Sequence, residues 1–228
     1  MTLHLIDNLE QGSDAWLDMR RGLVTASVVG QLITAKTIRP AANDYSRALT
    51  LNLVAERITG HTEPVFVNAD MMRGNMDEPI ARDAYSQYVG KPVEEIGFMV
   101  RDDIGSYFRL GYSPDGLVGD DGLIEIKSRR AKKHLSTILA DEVPIENMAQ
   151  IQAGLLVSGR DWLDYVSFSG GLPLYVKRVK PSGRWFDAIV EAVAMFETNA
   201  AEMATTFAER TAGMPLTERI DYFPEASL

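Results

Sequence analysis

The sequence contains no cysteine, which excludes disulfides and thiolate metal sites. Its three histidines, His4, His61 and His134, are not spaced as a pair, which argues against an imidazole-rich zinc centre. A metal site in this chain must therefore draw on oxygen ligands. No apolar run approaches the roughly 18 residues of a transmembrane helix. The opening stretch, MTLHLIDNLEQG, has no basic region followed by an apolar one and does not read as a secretory signal. Internal repeats, low-complexity segments and interdomain linkers are also missing from the sequence. These absences point to the cytosol. With 228 residues and 46% hydrophobic content, the chain can bury a sizeable core as one domain over residues 1–228. Residues 212–228, with Pro215 and Pro224, read as a tail that is loosely packed or docks on a neighbour.

Positive charge is also scarce. The net charge of −9 argues against indiscriminate nucleic-acid binding. The cations that exist are clustered: Lys127, Arg129, Arg130, Lys132 and Lys133 fall within seven residues, and Arg20 with Arg21 forms a second point. Acids collect elsewhere, as at Glu191, Glu197, Glu202 and Glu209. An acidic exterior with one basic track suits a protein that admits DNA by a single route. The plainer alternative is that Lys132 and Lys133 only solvate a helix face.

The basic track follows the most informative stretch, residues 107–127. Leu123, Ile124, Glu125, Ile126 and Lys127 read as a strand after the turn Val118-Gly119-Asp120-Asp121-Gly122, so 107–127 is expected to be a hairpin. Alternation puts Glu125 and Lys127 on one face, Ile124 and Ile126 on the other. Symmetric pairing about Asp120 sets Asp115 opposite Glu125. Opposed side chains lie about 4.5–5.5 Å apart at Cβ, where like charges destabilise. A cation belongs between them. Lys127 supplies one charge, and a hard divalent ion such as Mg²⁺ would supply the rest. The bland alternative is a surface hairpin with solvated acids.

The remaining chain reads as alternating helices and strands. Ser13 caps a short helix stopped by Gly22, and Thr25-Ala26-Ser27 begins a second helix with Val28, Val29, Leu32 and Ile33 as its apolar side. Residues 34–42 read as a loop that could lie on DNA, with Lys36 and Arg39 either meeting phosphates or, as isolated loop cations usually are, simply solvated. Asn43 caps a helix to Gly60, with Leu49, Leu53, Val54 and Ile58 inward. Residues 64–67 read as a short extended piece. A helix over 70–90 has Met72, Met76, Ile80 and Ala84 as its expected core line, a Gly74 that suggests close approach of another backbone or of DNA, and a Pro79 that suggests a restart. Residues 92–101 read as a strand followed by a turn at 102–105, and 131–140 as a basic helix. Pro144 starts a helix with Ile145, Met148, Ile151, Leu155 and Leu156 inward. Residues 162–168 and 174–180 read as a hairpin, and a long helix from Trp185 to about Thr211 carries Ile189, Val193, Phe196, Met203 and Phe207 on one side.

Four blocks, in order, resemble a known family. Ser113-Pro114-Asp115-Gly116-Leu117 with Glu125-Ile126-Lys127 is similar to the core of the PD-(D/E)xK nuclease superfamily, and its flanks to the phage lambda exonuclease, or YqaJ-type viral recombinase, family. Gln11-Gly12-Ser13-Asp14-Ala15-Trp16, Arg20, Gly22 and Thr25-Ala26-Ser27 resemble that family's N-terminal block. Arg73 to Arg82 resembles its glutamate-bearing helix, and Ala149-Gln150-Ile151-Gln152 its Q-x-Q helix.

The resemblance implies a mixed α/β (α+β) fold, a central mixed sheet flanked by helices. It also implies Mg²⁺-dependent degradation of one strand of linear double-stranded DNA, processively from its 5′ end, to mononucleotides. Two ions per site are implied, with Mn²⁺ as a substitute. Asp115, Glu125 and the main-chain carbonyl of Ile126 would be metal ligands. Lys127, Glu78 and Gln150 would join Asp115 and Glu125 in catalysis. Arg20, Ser27, Ser113 and Gln150 would hold the terminal 5′-phosphate, with Met71 as the wedge that parts the strands. The family further implies a homotrimeric ring around DNA, a single-strand annealing protein as partner, and a phage or prophage gene acting in bacterial cytoplasm. Two other readings stand beside it: a repair or restriction endonuclease of the same superfamily, and a non-catalytic DNA-end binder.

Overall fold

The computed structural model describes residues 1–7, 9–64, 67–103 and 108–220. In chain order the elements are β1 (Thr2–Ile6), α1 (Asp14–Arg20), α2 (Ala26–Val29), a 3₁₀ turn (Gly30–Leu32), β2 (Ile33–Thr34), β3 (Arg39–Pro40), α3 (Asp44–Thr59), α4 (Ala69–Val89), β4 (Phe98–Asp103), β5 (Phe108–Tyr112), β6 (Gly116–Val118), β7 (Gly122–Ser128), α5 (Ala131–Ala140), α6 (Ile145–Ser158), β8 (Trp162–Phe168), β9 (Tyr175–Val179) and α7 (Gly183–Thr211). The fold is mixed α/β. One sheet has the order β1-β4-β5, another β6-β7-β8-β9, and β2-β3 form a small third. Among the paired strands of the described residues, β7 and β8 alone run parallel. A parallel pair needs a long crossover, and α5 with α6 provides it. Two main-chain bonds between Glu94 and Leu117, 2.9 and 2.8 Å, fasten the segment before β4 to β6.

The local sequence explains most boundaries. Ser13 accepts from the Trp16 N–H and caps α1. Asn43 and Ser46 form a reciprocal capping box on α3, and Gly60 ends that helix in the left-handed region. The main core gathers Leu110, Tyr112, Ile151, Leu155, Ile189, Phe196 and their neighbours between the strands, α6 and α7. A smaller core of Ala81, Tyr85, Ile124, Ile126, Trp162 and Val166 seats α4 on the outer face of β7 and β8. Residues of β7 thus alternate between two cores, as period-2 burial on both faces demands.

Several expectations need correction. The hairpin is confined to β6 and β7; β5 pairs with β4 instead, and Tyr107 lies outside the described residues. Ser113 to Asp115 therefore form a joint between two sheets. The strand placed at 92–101 begins only at Phe98, and Asp102 and Asp103 extend it rather than turning; Ile104 and Gly105 are outside the described residues. The second helix is four residues long, because Ile33 leaves it to pair in β2-β3, which replaces the loop expected there. Of 64–67, residues 65 and 66 are not described, and the other two are in no strand.

On α4, the line Met72, Met76, Ile80 faces outward, with Met76 69% exposed, and Ala81 with Tyr85 is buried instead. The cause is polar: Asp77 accepts from Ser128 of β7, and Arg82, paired with Glu78 on the same helix, donates to the Asp115 carbonyl, so that face turns inward. The helix continues through Pro79 without restarting, and among the described residues no protein atom beyond its chain neighbours and the helix's own backbone comes within 4 Å of the place of a Gly74 Cβ, so that place is open rather than packed against another backbone. Ile58, Ile145 and Phe207 sit at helix ends and are exposed.

Candidate active site

Site geometry begins with the register of β6 and β7. Gly116 pairs with Ile124, Leu117 with Leu123 and Val118 with Gly122. One step further along this register sets Asp115 opposite Glu125. Gly116 makes the joint possible, since a Cβ there would lie 2.2 Å from Val93 Cγ1. The Asp115 Oδ2 accepts the Ile126 N–H at 2.6 Å. A strand residue directs its N–H and C=O to the same edge, so the Ile126 carbonyl also points to the Asp115 side.

Glu125 is 1% exposed. Its Oε1 accepts from Lys127 Nζ at 2.7 Å and from Gln150 Nε2 at 2.5 Å. Gln150 returns its own oxygen to Lys127 at 3.0 Å. The Tyr112 hydroxyl donates to Glu125 Oε2 at 3.4 Å. Its ring is braced by α6, where a Cβ on Gly154 would come within 2.7 Å of it. A buried carboxylate must be paired, and these three partners do so.

Burial pushes the Asp115 carboxyl well above the usual range, and Glu125 and Glu78 push it further. Burial also raises Glu78, with Glu125 and Glu95 adding to it against Arg82 and Lys127. Burial pulls the Lys127 ammonium down, yet Glu125 and Asp115 outweigh it and hold it above its ordinary value. Lys127 is thus an ammonium at neutral pH. The acids are under mutual repulsion that the one lysine only partly relieves.

A second cluster adjoins the first through Ser113 and Pro114. Trp16 Nε1 donates to Ser113 Oγ at 2.9 Å and Arg20 Nη1 at 3.5 Å. Arg20 Nη2 reaches Ser27 Oγ at 3.2 Å and Thr25 Oγ1 at 3.5 Å. The Arg20 guanidinium lies 3.9 Å from the Trp16 ring centroid. Burial lowers its pKa to about 10, opposed by Glu56, so it remains a cation at neutral pH. Glu56 and Arg57 grip this corner from α3, binding the Gly22 N–H at 2.6 Å and its carbonyl at 2.7 Å.

The structure therefore brings Asp115, Glu125, Ile126, Lys127 and Gln150 together, with Glu78 beside them, and Arg20, Ser27 and Ser113 in the adjoining cluster. Gln150 hydrogen-bonds Glu125 and Lys127, not the Arg20 cluster. Met71, in the first turn of α4, is exposed, and its main-chain N–H donates to the Asn68 cap rather than to either cluster. Among the described residues no three aspartate, glutamate or histidine side chains converge as a metal cage. The donor set is two carboxylates and a main-chain carbonyl, hard oxygens that fit Mg²⁺, which keeps several waters and takes one or two carboxylates.

Sequence reasoning missed three groups. Arg82 contacts both Glu78 and the Asp115 carbonyl; its spacing from Glu78 signals only the first contact. Ser128 ties β7 to α4 through Asp77 at 2.6 Å and Arg73 at 3.0 Å, with no signal in the sequence. Trp16, whose residue type alone suggests core packing or a DNA contact, serves instead as the link between Ser113 and Arg20.

Known proteins share this fold. The chain resembles the crystal structure of an alkaline exonuclease, LHK-Exo, from Laribacter hongkongensis, with TM-score 0.78 and 30% identity over 89% of this chain and 100% of that one. The same enzyme in complex with dAMP matches at TM-score 0.77, with the same identity and coverage. A phage-related exonuclease from Haemophilus somnus 129PT shares the fold at TM-score 0.66 and 12% identity, covering 81% of this chain and 96% of that one. No curated protein matches the sequence. The fold is thus the restriction-endonuclease-like PD-(D/E)xK type seen in these exonucleases. Residues 15–161 match the YqaJ-like viral recombinase domain, and with that match spanning both clusters the chain belongs to this family.

Proposed function

We propose that this chain is a DNA exonuclease that shortens one strand of linear duplex from its 5′-phosphorylated end and releases mononucleotides. The observation that carries the reading is adjacency: Pro114 alone separates Ser113, in the cationic Arg20–Ser27 cluster, from Asp115, in the acidic cluster. A terminal phosphate held on the first places the next phosphodiester near the second. The relative seen with dAMP, a mononucleotide, is consistent with such a product.

Asp115, Glu125 and the Ile126 carbonyl would hold Mg²⁺, or Mn²⁺ in its place, with two ions per site as the fullest form. The bound metal would supply a polarised phosphate and an acidified water. Lys127, as an ammonium, would orient that water and stabilise charge developing on phosphate. Gln150 keeps Lys127 and Glu125 in register, and Glu78 supports the acidic side. Arg20, Ser27 and Ser113 would grip the 5′-phosphate by charge-assisted bonds. Met71, exposed in the first turn of α4, would part the end base pair. The whole chain would act as one nuclease unit in bacterial cytoplasm, encoded by a phage or prophage and engaged in recombination. A homotrimeric ring would make digestion processive, and a single-strand annealing protein would receive the product strand.

The test is digestion of linear and covalently closed circular duplex with Mg²⁺. An exonuclease degrades the first and spares the second. Cutting of the circle would favour a repair or restriction endonuclease, and binding of ends without hydrolysis would leave a non-catalytic binder.

A further inference from the structure

We infer that Arg82 is a positioning residue that fixes Asp115 and Glu78 for the reaction proposed above, on which this inference rests. Its guanidinium is the meeting point of three chain segments. Nε donates to the Asp115 main-chain carbonyl at 2.8 Å. Nη2 donates to Glu78 Oε1 at 2.5 Å, one turn back on α4. Nη1 pairs with Glu95 Oε1 at 2.8 Å. The Arg82 side chain is only 13% exposed. Each nitrogen of the planar fork is committed in a different, fixed direction, which a lysine cannot reproduce.

The location gives the clamp its consequence. Asp115 lies in the joint between β5 and β6, outside both strands, so no ladder holds its carbonyl. The residue is pinned at its carboxylate by the Ile126 N–H and at its carbonyl by Arg82. Glu95 is itself anchored, because the neighbouring Glu94 makes two main-chain bonds to Leu117 of β6. Arg82 thus ties α4 to the sheet that carries Asp115, and holds Glu78 at a set distance from it.

Charge and position predict opposite effects, so they can be separated. Removing a cation beside three carboxylates should, by charge alone, tighten binding of a divalent ion. Removing a clamp should weaken it. The experiment compares wild type, Arg82→Ala and Arg82→Lys by three readouts: Mn²⁺ calorimetry, hydrolysis of linear duplex, and hydrogen exchange of the Ile126 amide without metal. The clamp predicts weaker Mn²⁺ binding in both variants. It predicts kcat down about 10- to 100-fold with KM little changed, the scale of a small misplacement of a reacting group. It also predicts faster Ile126 exchange while Leu123 is unaffected. Guanidinium at low millimolar concentration should restore part of the activity of Arg82→Ala. Tighter Mn²⁺ binding, or an Arg82→Lys enzyme with wild-type kcat and Ile126 protection, would overturn the inference. Where Arg82→Ala does not fold, Arg82→Lys decides. Where wild type neither binds Mn²⁺ nor cuts DNA, the nuclease reading fails, and the Ile126 amide still decides the clamp.

Discussion

The indole of Trp16 and the hydroxyl of Ser113, 97 residues apart in sequence, share a 2.9 Å hydrogen bond in which Ser113 accepts. Arg20 donates to the same oxygen. A serine hydroxyl has two acceptor sites and one proton. Both acceptor sites are engaged, and among the described residues the hydroxyl donates to no side chain, which leaves its proton for an anion. Trp16→Phe keeps the ring under Arg20 but deletes the donor. It should reduce the preference for 5′-phosphorylated over 5′-hydroxyl ends by roughly 5- to 10-fold, the worth of one hydrogen bond of about 1 kcal/mol or slightly more. Competition between the two ends measures this, and an unchanged ratio would contradict the role.

Gly22 carries the neighbouring corner. Its φ is +64°, and a Cβ there would lie 2.4 Å from Arg57 Cγ and 3.1 Å from the Leu53 carbonyl. Arg57 also holds Glu197 of α7 through two 2.7 Å bonds, so it is not free to retreat. Gly22→Ala should cost about 1–3 kcal/mol of unfolding free energy. Arg20, two residues away, should lose its register with Ser113, weakening the 5′-phosphate preference as well. Urea denaturation and the end competition together test both effects.

Asp115 makes a pH-dependent prediction whose sign follows from its raised pKa. Below the unfolded value, about 4, the carboxyl is neutral folded or unfolded, and its repulsion costs nothing. As pH rises from there through the folded value, the unfolded chain sheds its proton first, and stability falls. Asp115→Asn never ionises, and its amide oxygen can still accept the Ile126 N–H. The variant should therefore melt above wild type near neutral pH, with the gap closing towards about pH 4. Each kcal/mol regained is worth about 2–4 °C in a chain of this size. Mg²⁺ should raise the wild-type Tm and leave that of Asp115→Asn nearly unchanged. A lower Tm for the variant at neutral pH would show that the acids do not repel one another.

The pairing of Asp115 with Glu125 was legible because it depends on local quantities: a five-residue turn and a two-residue alternation set the register. The helix over 44–59 was legible for the same reason, its cap and stop being written beside it. The partition of strands was not. Whether β5 joins β4 or β7 depends on which sheet covers its apolar face, a property of the assembled core. The Met72–Met76–Ile80 line misled because hydropathy ranks methionine above Asp77 and Arg82, whereas partners at Ser128 and in the Asp115 joint made burial of the polar side possible. Trp16, Arg82 and Ser128 bind groups 97, 33 and 51 residues away, and no local pattern encodes such contacts.

The central claim is that Asp115, Glu125 and Lys127 cut a DNA strand from its 5′ end. It is tested most directly by linear duplex labelled at the 5′ or the 3′ terminus and treated with wild type or Lys127→Ala, with and without Mg²⁺. Wild type with Mg²⁺ should release the 5′ label at once as a mononucleotide and the 3′ label only late. Lys127→Ala should bind the duplex yet release neither, because Glu125 and Asp115 lose the cation they face. Full hydrolysis by Lys127→Ala, or prompt release of the 3′ label by wild type, would contradict the account.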